Sequence, residues 1–150
     1  MNERAILLVE DSPDDRELML QALRRSRPGQ AVVAMADSAQ ALDLLLPQAG
    51  RDQARLPLRP ALVILDLKMP KLNGLELLRK LREQPETALI PVVILTSSAN
   101  AEDVAEAYTS GVNGYVVKPV QFDRFVQVME SICRYWLDCD ALSGLCLLKR

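Results

Sequence analysis

The stretch ALVILD, residues 61–66, decides the fold, because a five-residue apolar run ends abruptly on a carboxylate. Runs of Val, Ile and Leu without alternating polar residues are typical of strands that are covered on both faces of a parallel sheet. Four further runs have the same character: Ala5–Val9, Ala31–Met35, Val92–Leu95 and Tyr115–Val117. We therefore expect five parallel strands.

Amphipathic stretches with helical spacing lie between and after these runs. Ser12-Pro13, Asp37-Ser38 and Asn73-Gly74 mark the starts of the first three, since these residue types favour helix N-termini. The fourth is weaker and ends near Gly111, whereas the fifth carries an apolar stripe from Phe122 to Cys133. This regular alternation predicts an α/β fold with right-handed crossovers and helices on both faces of the sheet.

Two segments fall outside the alternation. Residues 47–60 contain three prolines and a glycine, which predicts a long surface loop before the third strand. Residues 138–150 follow the last helix and include several leucines. We assign residues 1–137 to one domain and residues 138–150 to a C-terminal extension without a separate output domain.

Composition excludes several classes of function. The 150 residues carry 18 basic and 20 acidic side chains, a net charge of −2, which gives no electrostatic footprint for nucleic acid or an anionic membrane. Histidine is absent, so His-based catalytic triads and His metal sites are excluded. No apolar run approaches the length of a membrane span and the N-terminus is not a signal peptide, so we expect a cytoplasmic protein.

The three cysteines, Cys133, Cys139 and Cys146, all lie in the last eighteen residues and form no C-x-x-C pair. This pattern indicates neither a zinc site nor a disulfide framework. We expect reduced thiols.

Chemistry-bearing residues follow the predicted strands at the point where each strand ends. Glu10 and Asp11 follow the first run, Asp66 the third, Thr96 the fourth and Lys118 the fifth. Each alone is commonly a turn or surface residue. The carboxyl ends of parallel strands meet at one edge of the sheet, however, and three crowded carboxylates repel one another unless they are neutralised. A Mg²⁺ ion and the lysine would neutralise them.

Phosphoryl transfer to a carboxylate is the chemistry that this set suggests. Asp66 stands alone after the central strand and is the natural nucleophile. Glu10 and Asp11 would hold the metal, while Lys118 and the Thr96 hydroxyl would each bind a phosphoryl oxygen.

Four motifs together resemble the receiver domain of two-component response regulators. They are residues 9–12 (VEDS), 66–74 (DLKMPKLNG), 95–97 (LTS) and 114–119 (GYVVKP), and the resemblance spans roughly residues 4–137. It implies a flavodoxin-like (βα)5 three-layer sandwich with strand order 2-1-3-4-5.

The resemblance also implies the roles of particular residues. Asp66 would accept a phosphoryl group from a histidine kinase, and Thr96 and Tyr115 would form a coupled switch. Mg²⁺ would be bound by Glu10, Asp11, Asp66 and the backbone carbonyl of Lys68. The peptide bond between Lys118 and Pro119 would be cis.

A subset of this family resembles the chain further. The proline-containing loop, the VEDSP opening at residues 9–13 and the apolar extension are similar to the stand-alone regulators partnered with bacterial phytochromes and related sensor kinases. Two positions depart from the commonest family pattern. The first acidic residue is Glu10 and not Asp, and Lys68 follows the acceptor by two residues, where it would alter the lifetime of the phosphate in a direction left open.

The last helix predicts a partner surface. Val128, Tyr135 and Leu142 form a second line beside the core stripe, with Trp136 nearby, and this is more apolar surface than a monomer need bury. We expect a homodimer formed by the last strand, the last helix and the tail. The alternative is that the tail folds back onto its own domain.

Two other functions stay open as alternatives. A phosphohydrolase of the haloacid dehalogenase type would use an aspartate nucleophile, but it requires a second acid where Lys68 stands, and no cap-sized insertion is present. A phosphorylation-independent binding module would not require the complete set of site residues. We therefore expect a signalling phosphoacceptor that catalyses only its own phosphorylation and dephosphorylation.

Overall fold

A computed structural model describes residues 5–46, 59–70 and 72–139. The strands are Ile6–Val9 (β1), Val32–Met35 (β2), Leu62–Leu65 (β3), Val92–Thr96 (β4) and Gly114–Val117 (β5). The helices are Pro13–Ser26 (α1), Ser38–Leu45 (α2), Gly74–Glu83 (α3), Ala101–Thr109 (α4) and Phe122–Cys133 (α5), and a π-helical segment, Arg134–Cys139, continues α5.

The five strands form one parallel sheet in the order β2-β1-β3-β4-β5. This confirms the predicted flavodoxin-like fold and strand order. In the register of the sheet, Val9 lies opposite both Met35 and Leu65, so β1, β2 and β3 end side by side. The residues that follow them are therefore delivered to the same edge.

Alternate residues of each central strand face two separate cores. On β3, Leu62 and Ile64 pack in the core that α1 and α5 cover, whereas Val63 and Leu65 pack in the core that α2 and α3 cover. This explains why the sequence of β1, β3 and β4 does not alternate between apolar and polar residues. The edge strands differ from the expectation of burial on both faces, since Ala34 on β2 and Val117 on β5 are exposed. An edge strand has a neighbour on one side only and is incompletely covered.

Side-chain caps begin four of the five helices. The side chains of Ser12, Asp37, Asn73 and Asn100 each accept a hydrogen bond from a backbone N–H of the first turn of the helix that follows. Such caps satisfy N–H groups that have no partner within the helix. The three helix starts predicted from the sequence are confirmed.

The C-terminal end of the described chain is fastened to α1. Leu137 in the π-helical segment is buried, and both carboxylate oxygens of Asp138 accept hydrogen bonds from Arg27, at 2.6 and 2.8 Å. Asp138 is the first residue of the assigned extension. Residues 47–58 of the predicted loop and residues 140–150 of the extension, with Leu142 and Cys146, lie outside the described residues.

The two described cysteines are free, with Cys133 buried beside α1 and Cys139 exposed. Burial raises the pKa of the Cys133 thiol to about 11, so it is protonated and unreactive near neutral pH. Among the described residues, no helix is both long and apolar enough to cross a membrane.

Arg82, at the end of α3, connects loops at the amino ends of the strands, away from the carboxyl ends where the acidic residues lie. Its guanidinium donates hydrogen bonds to the carbonyl oxygens of Ala88, Ile90 and Gly111 and to Oδ1 of Asn113, at 2.7 to 3.1 Å. Burial lowers its pKa, because no carboxylate offsets the loss of water. The loops before β4 and β5 are therefore held by one cation.

Arg82→Ala is expected to lower the free energy of unfolding by about 2–4 kcal/mol, since it leaves several carbonyl oxygens without a donor. Urea denaturation measures the change. Arg79→Ala is the matched control, because Arg79 pairs with Glu106 on the exposed surface and its loss should cost less than about 1 kcal/mol. Equal losses in the two variants would contradict this role of Arg82.

Candidate functional site

Three carboxylates meet where the central strands end. Glu10 and Asp11 follow β1, Asp66 follows β3, and one oxygen from each lies within 4.8 Å of the others. Backbone hydrogen bonds continue past the strands, since the N–H of Glu10 donates to Met35 and that of Asp66 donates to Val9. The sheet itself therefore holds the acidic residues side by side, as predicted.

Glu10 is fully buried, which is unusual for a carboxylate. Its Oε2 accepts a hydrogen bond from the Ser12 N–H at 3.2 Å, and its Oε1 accepts one from Lys118. Burial raises the pKa of Glu10, the negative charge of Asp66 adds to this, and the bond from Lys118 offsets only part of it. A cation at this point would stabilise the charged form.

Lys118 supplies the positive charge of the site. Its Nζ lies 2.8 Å from Glu10 Oε1, 3.3 Å from Asp15 Oδ2 and 3.7 Å from Asp66 Oδ2, and its side chain is only 12% exposed. Burial by itself lowers the pKa of Lys118, but the bond to Glu10 and the charges of Asp66, Glu10 and Asp15 outweigh burial and raise it. The ammonium group therefore stays charged at neutral pH.

The backbone around Asp66 is packed against the start of α3. Asp66 Oδ1 accepts a hydrogen bond from the Leu67 N–H at 2.7 Å, and the Gly74 N–H donates to the Leu67 carbonyl at 3.0 Å. A Cβ atom at Gly74 would lie 2.2 Å from the Asp66 carbonyl oxygen, which is well inside van der Waals contact. Only glycine allows this approach, and that explains the Asn-Gly pair at the helix start.

Arg16 on α1 holds the backbone of the loop that carries Glu10 and Asp11. Its guanidinium donates a hydrogen bond of 2.8 Å to the Glu10 carbonyl oxygen and a longer one of 3.5 Å to that of Asp11. The loop that carries two of the three carboxylates is thereby tied to the first helix.

A second group of polar residues connects β4 and β5 beside the carboxylates. The buried Thr96 hydroxyl accepts a hydrogen bond from the Ser98 N–H at 3.4 Å, and the Tyr115 hydroxyl donates to the Ser98 carbonyl at 2.9 Å. The Ser98 hydroxyl in turn donates to Asp103 at 2.6 Å. Burial raises the pKa of Tyr115, so its hydroxyl keeps the proton that it donates. Thr96 and Tyr115 thus contact the same short loop.

An open cleft of about 520 Å³ lies next to Asp66. Its lining includes Lys68, which is exposed, and Asp103 at the start of α4. The remaining lining residues are Leu67, Met69, Pro70, Asn73 and Leu75. Asp66 itself is not among the lining residues, so the cleft borders the loop that follows the acceptor.

The donor set fits a hard divalent cation. Carboxylate oxygens are the ligands that Mg²⁺ prefers in proteins, and Glu10, Asp11 and Asp66 present them at one point. The lone lysine cannot balance three carboxylates, so the net negative charge favours a cation there.

One expectation was wrong and two residues were missed. The described residues contain no cis peptide bond, so the bond between Lys118 and Pro119 is trans. The trans isomer of an X–Pro bond is lower in energy by about 0.5–1 kcal/mol unless the surroundings select cis. Sequence reasoning missed the contacts of Asp15 and Arg16, whose only signal was their position one turn into a helix that begins beside the site.

Comparison with known proteins agrees with this geometry. Residues 6–130 match the family model of the response regulator receiver domain. The chain belongs to the response regulator receiver family. Its fold and its acidic cluster are those of a receiver, as the sequence resemblance implied, and it is related to single-domain response regulators.

Three relatives are similar over most of their length. Response regulator Rcp1 of Synechocystis is 33% identical over 90% of each chain, and the Mn²⁺-bound crystal structure of Rcp1 superposes with a TM-score of 0.77 over 92% of this chain and 97% of the other. The phosphorylated cyanobacterial phytochrome response regulator RcpA is 32% identical, with a TM-score of 0.80 over 92% and 96% of the two chains. The bacteriophytochrome response regulator AtBRR is 42% identical, with a TM-score of 0.68 over 87% and 92%.

Gly74→Ala is expected to destabilise this receiver by roughly 2–3 kcal/mol, because the new methyl group would push the Asp66 backbone away from the start of α3. Thermal or urea unfolding measures the loss. Gly114→Ala is the matched control, since a Cβ atom there meets Val93 at an ordinary 3.6 Å. Wild-type stability in Gly74→Ala would show that the loop tolerates the displacement.

Proposed function

We propose that this receiver accepts a phosphoryl group on Asp66 from the phosphohistidine of a histidine kinase. The observation that carries the proposal is the position of Asp66, beside two further carboxylates and within 3.7 Å of a buried ammonium group. In that position the Asp66 carboxylate can attack a phosphoryl group that binds together with a divalent cation.

In this proposal Asp66 is the nucleophile, and two other side chains bind the phosphoryl group that it receives. An Asp66 carboxylate oxygen forms the new bond to phosphorus while the bond from phosphorus to the kinase imidazole breaks, and the imidazole nitrogen keeps the electron pair. Lys118 and the Thr96 hydroxyl each bind a phosphoryl oxygen, which stabilises charge that would otherwise repel the acidic cluster.

Magnesium is the proposed cofactor. Glu10, Asp11, Asp66 and the Lys68 backbone carbonyl would hold it, and it would neutralise charge on the phosphoryl oxygens during transfer. The three carboxylates within 4.8 Å of one another support the choice, as does the existence of a Mn²⁺-bound form of the relative Rcp1.

The proposed switch is the loop that Thr96 and Tyr115 share. A phosphoryl group that draws the Thr96 hydroxyl toward itself would weaken the hydrogen bond that this hydroxyl accepts from the Ser98 N–H. The Tyr115 hydroxyl donates to the carbonyl oxygen of the same residue, Ser98. Phosphorylation would therefore change which position Tyr115 prefers on β5, close to the exposed Val117.

A phytochrome-type sensor kinase is the proposed partner, because RcpA and AtBRR are named as phytochrome and bacteriophytochrome response regulators. We place the reaction in the cytoplasm, where a histidine kinase presents its phosphohistidine.

We propose that the receiver comprises residues 1–137 and that residues 138–150 form an extension to it. We also propose that the receiver turns over no substrate and catalyses only its own phosphorylation and dephosphorylation.

Asp66→Asn is expected to abolish phosphorylation, since an amide is a far weaker nucleophile than a carboxylate and alters the metal site. Intact mass after incubation with acetyl phosphate and Mg²⁺ should show one labile phosphoryl adduct in the wild type and none in the variant. Asp43→Asn on α2 is the control and should be labelled normally, because Asp43 is exposed and follows no strand end. Failure of the wild type to form an adduct with acetyl phosphate or a panel of histidine kinases would favour a phosphorylation-independent binding module.

A homodimer through β5, α5 and the tail is the second part of the proposal. Val117 and Val120 near the end of β5 and Tyr135 after α5 are among the large apolar side chains that remain exposed. Val128 and Trp136, in contrast, pack partly against the core and are less available to a partner. The available surface thus lies at the two ends of the predicted interface.

A chain that ends at Cys139 should be a folded monomer, because it keeps the ion pair between Arg27 and Asp138 but loses the apolar tail. Sedimentation measures its mass against that of the full chain. Val120→Asp should also weaken association, whereas Leu89→Asp, at the opposite edge of the sheet, should not. An unchanged dimer in the shortened chain would exclude the tail from the interface.

A further inference from the structure

Asp15 contacts the central lysine of the site although it is not one of the clustered carboxylates. Its Oδ2 lies 3.3 Å from Lys118 Nζ, which is closer than the 3.7 Å between Lys118 and the acceptor Asp66. An ammonium group has three protons to donate, and here three carboxylates surround it. Of the three carboxylates, that of the acceptor Asp66 lies farthest from the Lys118 ammonium group.

We propose that Asp15 is a positioning residue that restrains phosphorylation by holding the Lys118 ammonium group away from Asp66. The inference rests on the proposed function of the site and adds a regulatory carboxylate to it. Its physical basis is competition for the position of the ammonium group, because the hydrogen bonds to Glu10 and Asp15 hold Lys118 Nζ 3.7 Å from Asp66 Oδ2, beyond hydrogen-bond distance.

Glu10 and Asp15 are not equivalent competitors. Glu10 is one of the three residues whose oxygens converge on the metal position, so its negative charge is shared with a cation when the site is loaded. Asp15 lies outside that group, so a cation at the metal position would not be shared with it. It is therefore the competitor that persists while the phosphoryl group arrives, and its charge also repels an anionic donor.

The backbone and the surroundings hold Asp15 in this position. Its N–H donates to the Ser12 side chain at the N-cap of α1, and its carboxylate lies in the first turn of the helix, where negative charge is favoured. Its partner is a mostly buried lysine with a side chain 12% exposed, whereas the Asp15 side chain is itself 47% exposed, so water screens the contact in part.

Asp15→Asn tests the inference, with Asp14→Asn as its matched control. Both positions lie in the first turn of α1, so both variants lose the same charge near the helix N-terminus. Asp14 is exposed and makes no ion pair within the described part of the chain. A difference between the variants therefore reports the contact with Lys118.

The first measurement is the rate constant for phosphorylation by acetyl phosphate at saturating Mg²⁺, followed by intact mass. Asp15→Asn should be phosphorylated about three- to tenfold faster than the wild type, as expected for loss of one nearby, partly screened charge. Asp14→Asn should change the rate by less than about twofold, since an exposed charge without a partner acts weakly.

The second measurement is the NMR signal of the Lys118 ammonium group in the unphosphorylated protein, which a merely structural effect on α1 would not move selectively. Asp15→Asn should shift it clearly, and Asp14→Asn should leave it in place. An unmoved signal in Asp15→Asn would overturn the positioning role.

The outcomes separate this inference from the proposed function. Labelling of the wild type with an equal or slower rate in Asp15→Asn overturns the restraint and leaves the phosphoacceptor intact. A slower rate that tracks a loss of Mg²⁺ affinity also overturns it and assigns Asp15 to the metal site. Absence of any adduct in the wild type overturns the proposed function, and the restraint with it.

Discussion

The ammonium group of Lys118 is the interaction on which the site depends. Three carboxylates are forced together because the strands that carry them end side by side, and their mutual repulsion would favour protonation or local unfolding without a counter-charge. Lys118 directly follows β5, the outermost strand on the other side of the sheet from β2. Its backbone N–H donates a hydrogen bond to the Thr96 carbonyl oxygen at 2.7 Å. A buried charge thus joins β1, β3 and β5 at the edge where function lies.

The charged cluster adjoins several segments of the backbone. Asp66 lies against the start of α3 through Gly74, and Lys118 continues directly from β5. Thr96, at the end of β4, shares the Ser98 loop segment with Tyr115. Residues of three backbone segments therefore lie at or beside the charged cluster.

At the amino ends of the strands the loops are held by hydrogen bonds to neutral groups, in contrast to the charged cluster at the carboxyl ends. Arg82 holds the loops before β4 and β5 through neutral oxygens, and no carboxylate of the described residues pairs with it. One edge of the same sheet therefore carries a cluster of charged side chains, while the other is held by a cation that donates hydrogen bonds to neutral oxygens. This division is consistent with the general placement of function at the carboxyl ends of parallel strands.

Local patterns in the sequence predicted the elements closely, because strand and helix formation depend on spacings that are read along the chain. The apolar run at 61–65 became β3 at Leu62–Leu65, and Ser12, Asp37 and Asn73 became the predicted caps. The π-helical continuation of α5 was not predicted, since it depends on Leu137 being buried and on Asp138 meeting Arg27 from a distant helix.

The order of residues along the chain predicts the chemistry of the site, since acidic residues, a hydroxyl and a lysine directly follow apolar strands whose ends must meet. How these groups share their contacts depends on the packing of the folded chain. It placed Lys118 nearer to Glu10 and Asp15 than to Asp66, and it left the bond before Pro119 trans. The physical reason is that distances between side chains on separate elements depend on how those elements pack, which no spacing along the chain records.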